Sequence, residues 1–267
     1  MGRRGSRPLD KPRPADPGTS PARRPGRLAG ADERRGQADP VTLRPSSPAA
    51  AVSRPVRGVV CDIDLTLTRT GSAEALGQAL GLPRQVQAAH YRDYHAGRLT
   101  RTQLLDLWRA TGNATRERMT AAFAGVPLRD GATRLADTLR ARRIPLCLIT
   151  SSAQLFADLM VARLGACCGY GNGRLTFDRT GYLEDLDFSL DTQQLKARHL
   201  AQFCREHGLA AQDLLAVGNG PNDLALFDAT GRGVLLTPDP DAKPAYSNRA
   251  WTTVPHLSDV IPLLDNS

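Results

Sequence analysis

From residue 55 onward, short apolar runs alternate with segments of helical periodicity. Each apolar run is followed by polar or glycine-rich residues, which is typical of a buried strand. Strands separated by helices favour a parallel sheet with helices on both faces, so the pattern predicts an α/β fold. The predicted strands are 58–61, 144–149, 214–217 and 233–236, and the predicted helices are 131–142, 153–164, 192–207 and 222–228.

Residues 71–125 interrupt this alternation. They are nearly all helix formers and predict three or four short helices, separated by turn signals at 81–83, 97 and 112–113. We interpret this segment as a helical cap inserted between the first and second core strands, with the core made of residues 55–70 and 126–267. Within the core, residues 168–190 hold two apolar runs around a polar turn, which predicts a β-hairpin.

The net charge of +8 belongs to one end of the chain. Residues 1–54 hold twelve Arg and Lys against five Asp and Glu, which leaves the other residues near +1. The same segment has nine of the nineteen prolines and no aromatic residue. It cannot bury enough apolar surface to offset the entropy of ordering, so we predict that it is disordered. A basic tail can bind polyanions, but its composition favours a solvated extension over a nucleic-acid-binding segment.

Two absences narrow the function classes. No stretch of about 18 apolar residues is present, so the sequence predicts no membrane span. The five cysteines and five histidines have neither the spacing of a metal site nor that of a disulfide framework. We interpret Cys61 and Cys147, which lie in apolar runs, as core thiols. A reduced, cytoplasmic protein is the resulting expectation.

The first predicted strand ends in two carboxylates. Asp62 and Asp64 lie two positions apart, so the alternation of side chains along a strand places them on one side. Like charges this close repel, and such pairs are typical of sites where one carboxylate attacks and the other transfers a proton. Chance produces this spacing about once in a chain of this length, so the pair alone is weak evidence. The Thr66 hydroxyl that follows is a candidate phosphate contact.

Attack on a phosphate ester needs positive charge and hydrogen-bond donors, and two later segments offer them. The second predicted strand ends in Thr150 and Ser151, whose hydroxyls can either donate to phosphate or cap the next helix. Lys196 lies early in a predicted helix. Most lysines on helices are solvated, but this one falls between two strand-end motifs. We expect all three residues to bind the phosphoryl group.

The third predicted strand runs into a glycine-rich loop, residues 218–223. Its glycines allow close approach of the backbone to a ligand. The side chains of Asn219 and Asp223 can present oxygens to a hard cation such as Mg²⁺. The alternative is an ordinary loop of Asn, Asp and Gly. We favour the metal site because this loop follows a strand in the same alternating pattern that precedes Asp62.

In chain order, these four segments resemble the motifs of the haloacid dehalogenase superfamily of phosphohydrolases, over roughly residues 56–240 and most of all its phosphoserine-phosphatase-like branch. The resemblance implies a Rossmann-like parallel sheet core with an inserted helical cap, and dependence on Mg²⁺. It implies that Asp62 is the nucleophile and a metal ligand. Asp64 would be the acid/base and would give its backbone carbonyl to the metal, while Asn219 and Asp223 would complete the metal site.

Two features depart from that pattern. Asn219 stands where the superfamily commonly has an aspartate, so the metal site loses one negative charge. Phosphoserine phosphatases also hold their amino acid with a glutamate and an arginine, and those places fall near Gly71 and Trp108 in this chain. Neither residue can pair with an ammonium or a carboxylate. We therefore do not expect phosphoserine to be the substrate.

Together these features predict a Mg²⁺-dependent phosphatase that acts on a small phosphorylated metabolite through an aspartyl-phosphate. The presence of Asp64 favours phosphate esters over halides, because an alkoxide leaving group needs a proton. Two alternatives stay open. One is a phosphotransferase, in which a second alcohol replaces water, and the other is a protein that binds a phosphorylated ligand without turnover.

Overall fold

The computed structural model describes residues 54–239, 241 and 244–265. The segment predicted to be a disordered basic tail, residues 1–54, lies outside the described residues except for Arg54.

The described part of the chain contains eight strands. They are β1 (Gly58–Cys61), β2 (Leu146–Ile149), β3 (Cys168–Tyr170), β4 (Arg174–Phe177), β5 (Leu183–Asp187), β6 (Leu214–Gly218), β7 (Gly233–Leu236) and β8 (Thr252–Val254). Six of them form a parallel sheet in the order β3-β2-β1-β6-β7-β8. The predicted α/β fold with a parallel sheet is confirmed. The short outer strands β3 and β8 were not predicted.

The same residues form eight α-helices. They are α1 (Ser72–Ala79), α2 (Arg84–His95), α3 (Arg101–Ala110), α4 (Arg116–Ala124), α5 (Ala132–Ala141), α6 (Gln154–Leu164), α7 (Thr192–His207) and α8 (Leu224–Thr230). All four helices predicted for the core are present, the last of them entered through a short 3₁₀ turn at Pro221–Asp223. None of the helices described is both long and apolar enough to cross a bilayer.

Both faces of the sheet are covered, which explains why its inner strands read as continuous apolar runs. Along β1, Val59 and Cys61 face the cluster that contains the buried residues of α5 and α6. Val60 faces the opposite cluster, which is formed with α7 and α8. A strand buried on both sides has no polar face, so its residues form a continuous apolar run. The run ends where the chain leaves the sheet.

The segment between β1 and α5 holds helices α1 to α4. Thr100 and Thr115 cap α3 and α4 by accepting hydrogen bonds from the backbone three residues on. Leu76 of α1 and Phe123 of α4 belong to the same apolar cluster as α5 and α6, so the insertion packs directly against that layer. The predicted hairpin is present as β4 and β5, and Arg101 of α3 forms an ion pair with Asp185 of β5.

Candidate active site

Three neighbouring strands end at the same edge of the sheet, each followed by a predicted site residue. Asp62 follows β1, Thr150 follows β2 and Asn219 follows β6. Because β1 lies between β2 and β6 and all three are parallel, their carboxyl ends bring these residues together. This edge is where ligands bind in open α/β sheets.

Lys196 joins the first and last of the predicted motifs. It lies in the first turns of α7, and its side chain is 0% exposed. Its Nζ donates to Oδ1 of Asp62 and to Oδ1 of Asp223, both at 2.6 Å. Both carboxylates are buried as well, with 3% and 0% exposure. A buried ammonium is tolerated only when paired, so two buried carboxylates hold this lysine in the site.

Burial and the neighbouring charges set the protonation of Asp62 and Lys196. Desolvation raises the pKa of Asp62 to about 7, against the opposing effect of the Lys196 ammonium; the nearby Asp223 and Asp64 carboxylates add to the rise. Burial alone would lower the pKa of Lys196, but the two carboxylates that it contacts raise it instead. Two carboxylates share one ammonium in this contact, and a further cation would favour the ionised form of Asp62.

Thr66 lies at the centre of a group of oxygens. Its Oγ1 is 2.8 Å from Oδ2 of Asp62 and 3.0 Å from Oδ1 of Asn219, and the residue is completely buried. A hydroxyl carries one proton and can donate to only one acceptor. The structure thus places three oxygen atoms that could ligate a metal, from two loops, beside one another.

Asp64 is held by three donors. The backbone N–H of Ser72, the first residue of α1, donates to Oδ1 at 2.5 Å. The hydroxyls of Thr150 and Ser152 donate to Oδ2 at 2.9 and 2.8 Å. The Ser72 and Ser152 hydroxyls also lie 2.6 Å apart. Thr150, which the sequence predicted as a phosphate contact, thus contacts a carboxylate in this structure.

Two of the residues around Asp64 were missed by the sequence reasoning. Ser152 directly follows Thr150 and Ser151, and nothing in the sequence distinguishes its hydroxyl from theirs. Ser72 opens the inserted segment and had no visible link to the core motifs. The hydroxyl of Ser151 points elsewhere and accepts a hydrogen bond from Nδ2 of Asn222 at 3.0 Å.

The glycine-rich loop positions Asp223. Its Oδ2 accepts the backbone N–H groups of Asn219 and Gly220 at 2.9 and 3.0 Å, while Oδ1 contacts Lys196. A Cβ on Gly218 would lie 2.4 Å from the carboxyl carbon of Asp223, so this position accepts only glycine without rearrangement. The loop therefore wraps the carboxylate instead of merely connecting β6 to α8.

A tight turn follows Asp64. The N–H groups of residues 66–68 all donate to the carbonyl of Ile63, and Leu65 has a φ of 60° with 39% exposure. Leucine rarely adopts this left-handed conformation, and such outliers are typical of functional sites. Arg129, also missed by the sequence reasoning, donates to the carbonyls of Leu65 at 2.7 Å and Thr66 at 3.1 Å and so fixes the turn.

The donor set fits a divalent cation. Asp62, Asp64 and Asp223 contribute three carboxylates and Lys196 one ammonium, which leaves negative charge for a cation to balance. The neighbouring oxygens of Thr66 and Asn219 add neutral donors. Mg²⁺ prefers a small number of such hard oxygens and keeps some water ligands. The residues at this edge of the sheet are therefore compatible with magnesium.

The family model for haloacid dehalogenase-like hydrolases matches residues 59–228. A phosphoserine phosphatase from Streptococcus thermophilus is 26% identical over 222 residues, covering 79% of this chain and 97% of that protein. A phosphoserine phosphatase from Archaeoglobus fulgidus is 23% identical over 193 residues, or 70% of this chain. The alignment spans about half of the Archaeoglobus protein, 54% of its length.

Solved structures with the same fold include a phospho-aspartyl intermediate analogue of a phosphoserine phosphatase. It aligns with a TM-score of 0.63 and 19% identity over 78% of this chain and 99% of that one. A hydrolase from Salmonella enterica serovar Typhi, described by the same family name, aligns with a TM-score of 0.66 and 17% identity, over 80% of this chain and 73% of that one. At these identities the likeness concerns the fold.

Proposed function

The chain belongs to the haloacid dehalogenase-like hydrolase family, and from that premise we propose that it hydrolyses a small phosphate monoester through an aspartyl-phosphate on Asp62. The observation that carries the proposal is the contact of Lys196 Nζ with both Asp62 and Asp223 at 2.6 Å. This contact gathers three separate segments of the chain around one buried carboxylate. Phosphoserine phosphatases among its relatives further support phosphate ester hydrolysis.

Asp62 is the proposed nucleophile. One of its carboxylate oxygens attacks phosphorus, a new P–O bond forms, and the bond from phosphorus to the substrate oxygen breaks. The Lys196 ammonium lies against the same carboxylate and balances part of the charge that a phosphate dianion brings in. The burial of Asp62 excludes water that would compete for the site.

Asp64 is the proposed acid and base. In the first step it gives its proton to the departing alkoxide, and in the second it takes a proton from the water that hydrolyses the aspartyl-phosphate. The N–H of Ser72 and the hydroxyls of Thr150 and Ser152 hold its side chain in one orientation. The carboxylate is thereby positioned before substrate arrives, which is how geometry lowers the barrier to proton transfer.

Mg²⁺ is the proposed cofactor, held by Asp62, the backbone carbonyl of Asp64, Asn219 and Asp223. When bound, it neutralises charge on the phosphoryl oxygens and on the carboxylates. Asn219 supplies an amide oxygen in place of a carboxylate, so Asp223 carries more of the charge at this site. The two backbone N–H groups that fix Asp223 make it a rigid ligand.

Thr66, Thr150, Ser151 and Lys196 are the proposed contacts to the phosphoryl group. Lys196 is supported most strongly, because its ammonium already lies beside the nucleophile. Ser151 follows β2, and its hydroxyl is engaged by a neutral amide and not by a carboxylate. The Thr150 hydroxyl now donates to Asp64. To contact the phosphoryl group it would either leave Asp64 or lie between Asp64 and the phosphate.

The proposed substrate is a phosphate monoester other than phosphoserine. At the two positions implied for recognition of the amino acid, Gly71 has no side chain and Trp108 is uncharged. Helix α3 holds two arginines near Trp108 but out of register with that position: Arg101, which forms an ion pair with Asp185, and Arg109. A cytoplasmic location is part of the same proposal and is supported by the five free cysteines.

The test is a screen of the purified full-length chain against an aryl phosphate and a panel of phosphometabolites that includes phosphoserine, with and without Mg²⁺. We expect magnesium-dependent release of phosphate that disappears in Asp62→Asn while the circular dichroism spectrum is unchanged. Formation of new phosphate esters when alcohols are added would identify a phosphotransferase. Tight ligand binding with no turnover of any ester would instead support the non-catalytic alternative.

A further inference from the structure

Most of the cysteines lie at the amino ends of β2 and β3, away from the carboxyl ends that carry the proposed active site. Cys147 and Cys168 are register partners on these neighbouring strands. Cys147 belongs to the apolar cluster between the sheet and α7, and Cys168 and Cys204 pack against that cluster. Cys167 immediately precedes β3 and is exposed. All of these thiols are free. The spacing along the sequence indicated no metal site, so this grouping is a product of the fold.

Three side chains in this region converge on one point. The Sγ atoms of Cys167 and Cys168 are 3.7 Å apart. A ring nitrogen of His207, the last residue of α7, completes a set of ligand atoms that all lie within 4.8 Å of one another. Among the described residues, this is the group of three His, Cys, Asp or Glu side chains whose ligand atoms meet that distance limit; the proposed Mg²⁺ site also uses a backbone carbonyl and an amide oxygen.

The sulfur–sulfur distance fits tetrahedral zinc. Two thiolates, each about 2.3 Å from a tetrahedral Zn²⁺, lie about 3.8 Å apart. The distance between the sulfurs of Cys167 and Cys168 nearly equals that value without any rearrangement. The imidazole of His207 is at the exposed end of a helix, and its ring nitrogen lies within 4.8 Å of both sulfurs. Nitrogen and sulfur ligands of one tetrahedral Zn²⁺ lie about 3.5 Å apart, so a small movement of this exposed side chain completes the site.

The chemistry of the donors selects the metal. Thiolate and imidazole favour zinc and other borderline or soft cations, whereas Mg²⁺ prefers oxygen. The negative end of the α7 dipole also lies at His207 and favours a cation there. The Cys167 thiol donates to the carbonyl of Leu146 at 3.1 Å, and a bound metal would take the place of that proton.

We propose that Cys167, Cys168 and His207 bind one Zn²⁺ ion, with water in the fourth position. The nearest acid in sequence, Glu206, already accepts a hydrogen bond from the Tyr170 hydroxyl at 2.6 Å. The ion would fasten the beginning of β3 to the end of α7. It would act at a distance from the chemistry, since Lys196 lies eleven residues earlier on that helix, about 16 Å away at the α-helical rise.

The experiment uses Co²⁺ as a spectroscopic substitute for zinc in the reduced, full-length chain, stripped of metal by a chelator. Excess Mg²⁺ is present so that the oxygen site is filled. We expect a thiolate-to-cobalt charge-transfer absorption in the near ultraviolet and tetrahedral ligand-field bands in the visible. Both should saturate at one Co²⁺ per chain and disappear when Zn²⁺ is added. Wild-type protein without the charge-transfer absorption would overturn the proposal.

Variants identify the ligands. Cys168→Ser and Cys167→Ser should each lose the charge-transfer absorption of the complete site, and His207→Gln should weaken Co²⁺ binding by at least about tenfold. Cys204→Ser, a nearby thiol outside the set, should retain the full signal. Retention of the signal in the Cys167→Ser/Cys168→Ser double variant, or its loss in Cys204→Ser, would contradict the assignment.

A second readout separates this site from the proposed catalysis. Zn²⁺ should raise the melting temperature of the wild-type chain and of the Asp62→Asn variant, because both retain the three ligands. It should have no such effect on Cys168→Ser, whose circular dichroism spectrum controls for folding. Co²⁺ binding and the melting temperature therefore test the zinc site independently of whether the chain hydrolyses phosphate esters.

Discussion

The backbone N–H of Ser72 lies 2.5 Å from Oδ1 of Asp64, so the first turn of the first inserted helix holds the carboxylate that follows the central strand. The free N–H groups at a helix N-terminus favour negative charge. This contact links the inserted helices directly to the proposed acid/base. A substrate that displaced α1 would therefore also change the surroundings of Asp64.

Removal of the buried lysine should cost both activity and stability. Lys196→Met leaves the carboxylates of Asp62 and Asp223 buried without their shared cation, and we expect the free energy of unfolding to fall by about 3–5 kcal/mol. Urea denaturation without metal measures this loss. Arg249→Met, which breaks an exposed ion pair with Asp228, is the matched control and should cost less than about 1 kcal/mol. Equal losses in the two variants would show that the Lys196 contacts do not stabilise the fold.

Ser152 should act through Asp64. Ser152→Ala removes one of the two hydroxyls that orient its carboxylate, and we expect kcat to fall by about 10- to 100-fold with little change in KM. Steady-state kinetics on the best substrate from the screen gives both constants. Ser152→Thr keeps the hydroxyl and should recover most of the activity. An unchanged kcat in Ser152→Ala would remove this serine from the positioning of Asp64.

Asn219 should limit the affinity for magnesium. Asn219→Asp adds a negative charge beside Thr66, whose hydroxyl also contacts Asp62, and we expect the Mg²⁺ concentration for half-maximal activity to fall on the order of tenfold. The same variant should be less stable than wild type without metal, because another carboxylate joins the group around Lys196. Activity measured as a function of Mg²⁺ tests the first statement. If the Mg²⁺ concentration for half-maximal activity were unchanged or higher in Asn219→Asp, that result would argue against Asn219 as a ligand.

Gly218 should tolerate no side chain. In Gly218→Ala the new Cβ would overlap the Asp223 carboxyl group, which is wrapped by the loop, so we expect a loss of about 1–3 kcal/mol in stability and a large loss of activity. Gly71→Ala is the control: its φ is −75°, and its Cβ would meet Asp64 Oδ1 only at 4.0 Å. Thermal unfolding of the two variants compares them. Similar behaviour would mean that the close approach at Gly218 is unimportant.

The sequence alone predicted the inner part of the fold well. The inner strands and their helices carry continuous apolar runs or helical periodicity, because both sheet faces are buried. The strand Cys168–Tyr170 was missed because it is short, only partly buried and at the edge of the sheet. It had been included in the segment predicted as a hairpin. Thr252–Val254, at the other edge, was missed for the same reason.

The motifs at the strand ends predicted which loops converge, because the ends of adjacent parallel strands must meet. The individual contacts could not be predicted in this way. Three contacts depend on tertiary packing: those of Ser72 at the start of the inserted helices, of Arg129 in the loop that follows them, and of Ser152 after β2. Cys167, Cys168 and His207 come together for a similar reason, since β3 and the end of α7 are far apart in sequence. The resemblance to phosphoserine-phosphatase-like proteins is confirmed by the comparisons.

Covalent labelling of Asp62 tests the central proposal most directly. In Asp64→Asn the residue that activates water is gone, so a phosphoryl group transferred to Asp62 should persist long enough to be trapped. The substrate for this experiment is an aryl phosphate, whose leaving group needs little help from an acid. After rapid acid quenching and mass spectrometry, we expect the phosphoryl group on Asp62 and none on Asp62→Asn. Phosphate release by Asp62→Asn at the wild-type rate, or a phosphoryl group on another residue, would contradict the account.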